Sequence, residues 1–344
     1  MKKFFMLLGS SALILSGGLL IGTLNSCEGP AGPAGQDANA TCTQCHNGES
    51  ELLAKNLQYE ASTHATGSTF ERSDAGCAPC HTNEGFHEVI ASGVTSFADW
   101  EATSPDNPTP TSCRTCHNIH QAYDSTDWSL TTTEAFPALA VADKEIDLGT
   151  GNLCARCHQT RVAEESLTMS SIDSVMTSPY WGPHHGPQGN IMAGVTPYEF
   201  SGSMSYANSA HTTMIDDGCV TCHMAEPAYG VQAGGHTMKM TYAYHGSNAV
   251  WQSGCVKCHN DEKGLETKIE DTKTEIEGLL ADLENALIAK GALTESGSPN
   301  GKVSANEARA IVNYKMIEED RSMGIHNYKY TKALLTNTIE ALAQ

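Results

Sequence analysis

Cys42-Thr43-Gln44-Cys45-His46 is the first of six copies of one phrase, Cys-x-x-Cys-His, around which the sequence is organised. The paired cysteines are Cys42 and Cys45, Cys77 and Cys80, Cys113 and Cys116, Cys154 and Cys157, Cys219 and Cys222, and Cys255 and Cys258. The histidines that close the phrases are His46, His81, His117, His158, His223 and His259. Two thiols at this spacing can form thioether bonds to one porphyrin, and the next imidazole then reaches its iron. The pattern predicts six covalently bound haem c groups, each with a proximal histidine.

A single CxxC pair has two other interpretations, a redox disulfide or half of a zinc site. Zinc modules place histidine at other offsets and do not need one after every cysteine pair. Because all six pairs carry histidine in the fifth position, haem attachment explains the whole set.

The composition offers few side chains for an apolar interior. Aromatic residues make up 6% of the 344 residues, glycine occurs 31 times, and the apolar residues are scattered rather than gathered into strands. Six large, flat, apolar haem groups would supply the buried surface that the side chains lack. We therefore expect the chain to be largely unfolded without haem.

The net charge of −20 at pH 7 restricts the possible partners. Haem propionates add negative charge, so nucleic acid and anionic lipid surfaces are disfavoured. Basic or neutral redox proteins fit better, although plain solubility explains the charge equally well. We expect no nucleic-acid partner.

Residues 1–26 have the composition of a lipoprotein signal peptide. Lys2 and Lys3 precede an apolar stretch over residues 4–20, and small or polar residues follow. Leu24-Asn25-Ser26-Cys27 then resembles the lipobox of bacterial lipoproteins, in which the cysteine becomes a diacylated N-terminal residue. This resemblance predicts lipidation of Cys27. Cleavage nearby to give a soluble periplasmic protein is the alternative.

Residues 27–40 combine the lipidated cysteine with a flexible Gly/Pro-rich tether. Acyl chains anchor a protein stably to a membrane without spanning it. Glu28 is not the aspartate associated with inner-membrane retention in enteric bacteria. We expect an exported protein on the periplasmic face of the outer membrane or at the cell surface, with inner-membrane anchoring left open.

Residues 41–260 are predicted to form a six-haem cytochrome c domain of short helices and loops. A helical region follows over residues 261–344, where an apolar stripe predicts one long helix. The stripe consists of Leu265, Ile269, Ile276, Leu280, Leu283 and Leu287. Two more helices are predicted over residues 303–319 and 328–343, the last with Asn327 as N-cap.

The predicted fold class is therefore mainly α with extensive loops. A haem-packed multihaem cytochrome c region is followed by a C-terminal helical hairpin or bundle. This helical region either packs over the last haems or forms the surface of a homo-oligomer.

Nine histidines outside the motifs are available for the second axial position of each iron. They are His64, His87, His120, His184, His185, His211, His236, His245 and His326. We assign six of them as distal ligands: His64, His120, His185, His211, His236 and His326. Met224, beside the fifth motif, represents the alternative ligand type, but two histidines hold a lower reduction potential than a His/Met pair.

Local context guides these assignments. His120 follows His117 too closely to bind the same iron on its opposite face, so it should serve a neighbouring haem. His184 and His185 are adjacent, so we expect one to bind iron and the other to face solvent or a propionate. For His87 and His245, a surface position is as good an interpretation as ligation.

The chain resembles the multihaem c-type cytochromes of respiring bacteria over nearly its whole mature length. The phrases that carry the resemblance are Cys116-His117-Asn118-Ile119-His120, Trp181-Gly182-Pro183-His184-His185, Gly218-Cys219-Val220-Thr221-Cys222-His223-Met224 and Gly324-Ile325-His326-Asn327. The C-terminal helical region is similar to that of the ammonia-forming nitrite reductases, the octahaem hydroxylamine oxidoreductases and the tetrathionate reductases. The resemblance implies closely packed haems that carry electrons to one catalytic haem.

The sequence also departs from these enzymes. The nitrite reductases usually bind their catalytic haem through CxxCK, a motif that this chain lacks. Hydroxylamine oxidoreductases carry more haems and a tyrosine crosslink, and neither Tyr180, Tyr198 nor Tyr314 can be assigned that role.

These observations favour an electron carrier over an enzyme. A membrane-tethered six-haem cytochrome would pass electrons in bacterial respiration from a quinol-oxidising complex to a terminal reductase, another cytochrome or an extracellular acceptor. The alternative is a multihaem oxidoreductase acting on a small nitrogen or sulfur oxyanion, as with nitrite, hydroxylamine or tetrathionate. It requires an exchangeable iron site beside a pocket that Arg161, His184 and His185 could furnish.

Overall fold

The structure is a computed structural model that describes residue 46 and residues 50–66, 71–94, 99–161, 174–227 and 230–344. The predicted signal peptide (1–26), the tether (27–40), Cys27 and the first cysteine pair, Cys42 and Cys45, lie outside the described residues. In the part that is described, no helix has the length and apolar character needed to cross a membrane.

Short helices and loops make up the haem-motif region. The helices are α1 (Ser50–Glu60), α2 (Thr63–Thr66), α3 (Ala78–His81), α4 (Asn83–Ser92), α5 (Cys113–Cys116), α6 (Asn152–Ala155), α7 (Gln188–Ala193), α8 (Ala210–Met214) and α9 (Gly218–His223). In the described part of this region, 3₁₀ helices lie at Ser125–Trp128, Gly149–Gly151 and Gly235–Thr237. Helices α3, α5, α6 and α9 overlap the CxxCH motifs. One helical turn places residues three apart on the same face, so the two thiols of a motif lie side by side.

The described residues contain three two-stranded antiparallel sheets. They pair β1 (Phe136–Pro137) with β2 (Glu145–Ile146), β3 (Val175–Met176) with β6 (Lys302–Val303), and β4 (Thr241–Tyr244) with β5 (Ser247–Val250). The β3–β6 pair joins the motif region to the C-terminal region, with Val175 opposite Val303. The described chain is thus mainly helical with few strands, as predicted.

Three longer helices follow the last motif: α10 (Glu262–Ala289), α11 (Ala305–Asp320) and α12 (Tyr328–Leu342). Asp261 caps α10 by accepting a hydrogen bond from the Gly264 N–H at 3.2 Å. A capping box begins α11: the Ser304 hydroxyl accepts from the Glu307 N–H at 3.2 Å, and the Glu307 carboxylate accepts from the Ser304 N–H at 2.7 Å.

The largest apolar core lies among these three helices. On α10, Ile276, Leu283 and Leu287 of the predicted stripe are buried in this core, and the half-buried Leu280 packs against it. Leu265 is buried and Ile269 half-buried nearer the start of α10, outside this cluster. The core is completed by Ile311, Met316 and Ile317 of α11, Leu334 and Leu335 of α12, and Ile191 and Tyr198 from the motif region. Burial of each large apolar side chain contributes roughly 1.5–3 kcal/mol. This region therefore has a conventional side-chain core.

The motif region has much less apolar burial among its own side chains. One small cluster surrounds Phe136 and Ile146, and a second surrounds Val89 and Trp100. Seven of the nine described helices of this region have four to six residues, and the other two have 11 and 10 residues. All are shorter than the roughly 12–15 residues at which even good helix formers become marginally stable alone. The small amount of apolar burial in the motif region agrees with the low content of aromatic residues in the sequence.

Asn327 occupies the N-cap position of α12, but its side chain does not cap the helix. Its amide group donates to the Ile191 carbonyl at 3.2 Å and to the Asn208 side chain at 2.8 Å, and its oxygen accepts from the Ser209 N–H at 2.8 Å. The fully buried amide thus joins α12 to the motif region. The predicted capping hydrogen bond is replaced by these longer-range bonds because α7 and the segment before α8 pack against the start of α12.

Candidate haem-binding sites

Each motif histidine faces a second histidine across a gap of nearly constant width. In motif order, sites 1 to 6 pair His46 with His120 (6.2 Å between ring centroids), His81 with His184 (6.3 Å), His117 with His236 (6.2 Å), His158 with His64 (5.9 Å), His223 with His326 (6.2 Å), and His259 with His211 (6.2 Å). Two imidazole nitrogens that each lie roughly 2 Å from one iron atom put the ring centroids about 6 Å apart. All six gaps fit a metal ion held between two imidazoles.

The hydrogen bonds of these imidazoles direct one particular nitrogen into the gap. In six of the paired rings the Nδ1 atom has an oxygen partner at 2.6–3.2 Å, which leaves Nε2 available for a metal. The partners are the Trp128 carbonyl for His117, Gln188 Oε1 for His158, the His185 carbonyl for His184, the Ile325 carbonyl for His211, the Met238 carbonyl for His223, and Asp320 Oδ1 for His326.

The remaining histidines have different surroundings. His87 bonds through Nε2, the nitrogen that the paired rings leave available, to the Arg114 carbonyl at 2.9 Å. His245 lies at the exposed turn between β4 and β5, with its ring 4.3 Å from that of Tyr244. Neither of them faces a motif histidine among the described residues.

The structure places His184 opposite His81, whereas the sequence analysis selected its neighbour His185. His184 has a left-handed backbone conformation (φ 67°), which turns its ring inwards. The next side chain then points outwards, and His185 Nδ1 lies 2.9 Å from Glu319 Oε1 with 76% of the side chain exposed. The geometry favours His184 as the distal ligand of site 2.

One continuous cavity of about 2660 Å³ connects the sites. It is lined by all six motif histidines and by each of their partners except His120. Ordinary ligand pockets measure about 300–1,000 Å³, so this cavity has room for several large groups. Leu53, Trp128 and Met214 are exposed apolar side chains on its wall, as expected of a surface that covers a flat apolar porphyrin.

Burial favours the neutral form of four of the paired imidazoles, whereas desolvation of a fifth, His326, is outweighed by Asp320, which raises its pKa. Desolvation, followed by the nearby charge of His158, lowers the pKa of His64 to about 4. Desolvation also lowers the pKa values of His158, His223 and His236. These rings are therefore neutral at pH 7, and the neutral imidazole is the metal-binding form.

Glycine allows neighbouring motifs to approach closely. A Cβ atom on Gly151 would lie 2.9 Å from the Cys219 amide nitrogen, and one on Gly254 would lie 2.4 Å from the Thr221 carbonyl oxygen. Gly218, with φ 43°, has the Leu148 carbonyl oxygen 2.7 Å from its Cβ position. Any other residue at these positions would push the motif backbones apart.

A buried carboxylate holds the loop that carries His120. Asp127 accepts hydrogen bonds from the backbone N–H groups of His120 (2.8 Å), Gln121 (3.2 Å), Ala122 (2.7 Å) and Tyr123 (3.2 Å). The bond from Ala122 contributes most to keeping the pKa of Asp127 below its usual range. The ionised carboxylate therefore supports the loop at neutral pH, and this support is lost only as the pH falls through that lowered pKa.

Replacing Asp127 with alanine should release His120 from site 1, because four backbone N–H groups lose their acceptor. We expect the low-spin ferric signal of one haem to weaken in electron paramagnetic resonance spectra. Asp124→Ala is the matched control, since Asp124 accepts from Thr126 in the same loop but not from the peptide of His120. An unchanged spectrum in Asp127→Ala would contradict this role.

Comparisons with known proteins identify a similar fold. No protein-family model matches the chain, and no curated protein matches it. The outer cell wall cytochrome OcwA has a similar structure, with a TM-score of 0.53 and 20% sequence identity over 84% of this chain and 50% of that one. The undecahaem cytochrome from the S-layer of Carboxydothermus ferrireducens gives a TM-score of 0.44 and 17% identity over 83% of this chain and 40% of that one.

This chain spans about half the length of OcwA, and at this identity the similarity concerns the fold alone. The sequence contains six CxxCH motifs, and the similar structure is that of a cytochrome. The chain therefore shares the fold of an outer cell wall cytochrome, in agreement with the multihaem c-type cytochrome that its motifs predict.

Proposed function

We propose that this chain is a six-haem electron-transfer protein tethered to a membrane by lipid on Cys27. The observation that carries the proposal is the set of six histidine pairs, each with the spacing of two axial ligands. Haem bound at each site supplies a one-electron carrier. The proposed proximal ligands are the six motif histidines, and the proposed distal ligands are His64, His120, His184, His211, His236 and His326.

Contacts between motifs support an order for the six sites. The Cys157 sulfur lies 3.9 Å from the carbonyl oxygen of Pro79 in the second motif, which brings sites 2 and 4 together. The Cys219 sulfur lies 4.0 Å from the carbonyl oxygen of Gly151, just before the fourth motif, which brings sites 4 and 5 together. The approach of Gly254 to Thr221 brings site 6 beside site 5. Each of these contacts joins residues that lie in, or just before, two different motifs.

Site 3 lies near site 4, because the segment after the third motif bonds to both motifs. The Thr131 N–H donates to the Cys116 carbonyl at 2.9 Å, and the Asn152 side chain, just before the fourth motif, donates to the Thr133 carbonyl at 3.0 Å. Site 1 adjoins site 3, since His120 follows His117 by only three residues. We infer a haem path that runs through sites 1, 3, 4, 5 and 6, with site 2 as a branch at site 4. Such a path has ends at which electrons could enter and leave.

The side chains of this protein hold the proposed path rigid. The hydrogen bonds at Nδ1 fix the orientation of the imidazole rings. The acceptors of such bonds also influence the reduction potential of a metal bound at Nε2. Ile191 and Tyr198 of the motif region belong to the apolar core of α10, α11 and α12. These two side chains therefore attach the motif region to the C-terminal helices.

The pairing does not favour the alternative oxyanion reductase. Catalysis at iron needs one exchangeable axial position. In the described structure each of the six motif histidines has a histidine opposite it, and His184, which was considered for a substrate pocket, faces His81.

The proposed location and partners rest on the composition of residues 1–40 and on the net charge. The proposed lipid anchor and Gly/Pro tether would hold residues 41–260 off the periplasmic face of the outer membrane or the cell surface, with residues 261–344 as the helical region. A net charge of −20 favours basic or neutral redox partners, such as a quinol-oxidising complex, a terminal reductase or another cytochrome. The exposed ends of the proposed path are where they would dock.

The test is a haem count combined with spectroscopy of the exported, oxidised protein. Intact mass should exceed the processed chain by six haem groups, and paramagnetic resonance should show low-spin ferric signals only. Replacing Cys255 and Cys258 with alanine should remove one haem mass and one low-spin signal. Fewer than six haems in the parent protein, or a high-spin signal that changes on addition of nitrite or hydroxylamine, would overturn the proposal.

A further inference from the structure

Site 5 differs from the other sites in the partner of one imidazole. Among the described paired histidines with an Nδ1 hydrogen bond, His326 alone donates to a carboxylate, with Nδ1 2.6 Å from Asp320 Oδ1. The corresponding acceptors of the other five rings are neutral carbonyl or amide oxygens. Site 5 therefore has a formal negative charge in contact with a candidate ligand.

The Asp320 carboxylate is buried and hydrogen-bonded at both oxygens. Asp320 is the last residue of α11, and its side chain is fully buried. Its second oxygen accepts a hydrogen bond from the Ser322 hydroxyl at 2.5 Å, while the Ser322 oxygen accepts from the His326 N–H at 3.2 Å. The turn that closes this arrangement needs Gly324, where a Cβ atom would lie 2.8 Å from Ile276 Cγ1.

No lysine or arginine among the described residues forms an ion pair with Asp320. Its neighbour Arg321 reaches Glu319 instead, at 3.4 Å. Within the described structure, His326 is thus the only potentially cationic group in salt-bridge contact with the Asp320 carboxylate. The charge is consequently directed at site 5 rather than neutralised by another side chain.

Two physical effects of the Asp320 carboxylate would both lower the reduction potential of an iron at site 5. A carboxylate that accepts the Nδ1–H of a ligating histidine makes the ring a stronger donor to the metal. A buried negative charge also stabilises the more positive oxidation state of a nearby iron, because the low dielectric constant of the interior screens it weakly.

From this geometry we infer that Asp320 is a positioning residue that gives site 5 the lowest reduction potential of the six sites. The inference rests on the proposed function, because it requires iron between His223 and His326. In the proposed path, site 5 separates site 6 from site 4, so electrons would meet their least favourable step there. A low-potential site inside the path would set the rate at which the two ends exchange electrons.

The experiment is a spectroelectrochemical titration of the full haem-loaded protein and its Asp320→Asn variant. Asparagine keeps the size of the side chain and can still accept from Nδ1–H, so the substitution removes mainly the charge. The lowest of the six midpoint potentials should rise while the other five change little. A tenfold change in the preference of the site for ferric over ferrous iron corresponds to about 59 mV for a one-electron couple.

Glu319→Gln is the matched control. It removes one negative charge from the adjacent position of α11. The Glu319 carboxylate contacts His185, which faces no motif histidine in the described structure. This substitution should leave the lowest potential nearly unchanged. An equal shift in both variants would show a general charge effect and would overturn the specific role of Asp320.

Ser322→Ala supplies a test of opposite sign. Without the Ser322 hydroxyl, the Asp320 carboxylate should accept more strongly from His326, and the lowest potential should fall. General damage to the fold would not shift the lowest potential upwards in one variant and downwards in the other. If Asp320→Asn fails to load haem, the shift in Ser322→Ala alone tests the inference. Six low-spin haems in the parent protein with no shift of the lowest potential would overturn this inference and leave the proposed function intact, whereas fewer haems would overturn the proposed function.

Discussion

His184→Ala is expected to convert one low-spin haem of this protein into a high-spin haem, while the neighbouring change His185→Ala leaves all six low-spin. The His184 ring lies 6.3 Å from that of His81, centroid to centroid, and its Nδ1 is bonded to the His185 carbonyl. Removing this ring would open the second axial position of site 2. Ferric paramagnetic resonance and the optical spectrum of the oxidised protein measure the change.

The same pair of variants is its own control. His185 contacts Glu319 at an exposed position, so its loss should remove a surface ion pair worth little in stability and change no axial position. Small ligands such as cyanide or imidazole should bind the His184→Ala protein at one site and should not bind His185→Ala. A high-spin signal in His185→Ala, with none in His184→Ala, would reverse the assignment.

The motif histidines could be selected as candidate ligands from sequence, because attachment of a porphyrin to two cysteines would fix their spacing. The distal partners could be selected only by type. Five of the six selected residues lie opposite a motif histidine: His64, His120, His211, His236 and His326. Which motif each one serves depends on the tertiary fold. His64 precedes the second motif closely in sequence, yet it faces His158 of the fourth.

Local sequence cannot decide which of His184 and His185 faces a motif histidine. Both follow Gly182-Pro183, and nothing in their order distinguishes a ligand from a surface residue. The structure distinguishes them by one backbone angle, the φ of 67° at His184, and by the position of Glu319 at the end of α11. Glu319 and Asp320 lie more than 130 residues from that pair in sequence, so only the packed helices bring them to the sites.

Periodicity predicted the C-terminal helices better than it predicted their surroundings. The apolar stripe of α10 is buried at Leu265, Ile276, Leu283 and Leu287, because its spacing follows the helical repeat. Asn327 was recognised as the residue before α12, but its buried amide bonds to α7 and Asn208. A polar side chain takes whichever partner the tertiary fold brings close, and sequence alone does not contain that information.

The sequence predicts a chain that is largely unfolded without haem, but the side-chain core of α10, α11 and α12 changes that expectation. The haem-free chain should lose the motif region while its C-terminal helices persist. Expression of the full chain in the cytoplasm, where c-type haem is not attached, should give protein in which hydrogen exchange is fast over α1 to α9 and slow over parts of α10, α11 and α12. The haem-loaded protein should be protected in both regions. The difference arises because the motif helices are short and have few apolar partners, whereas the C-terminal helices share a side-chain core.

A core variant separates the two sources of stability. Leu334→Ala removes a fully buried side chain of α12, and such changes cost about 2–5 kcal/mol. In the haem-free chain this loss should exceed what the isolated helices can sustain and abolish their protection, since most domains have only about 5–15 kcal/mol of total stability. In the haem-loaded protein the motif region should hold the helices in place through Ile191 and Tyr198. Persistent protection of α1 to α9 in the haem-free chain would instead mean that the side chains alone suffice to build the motif region.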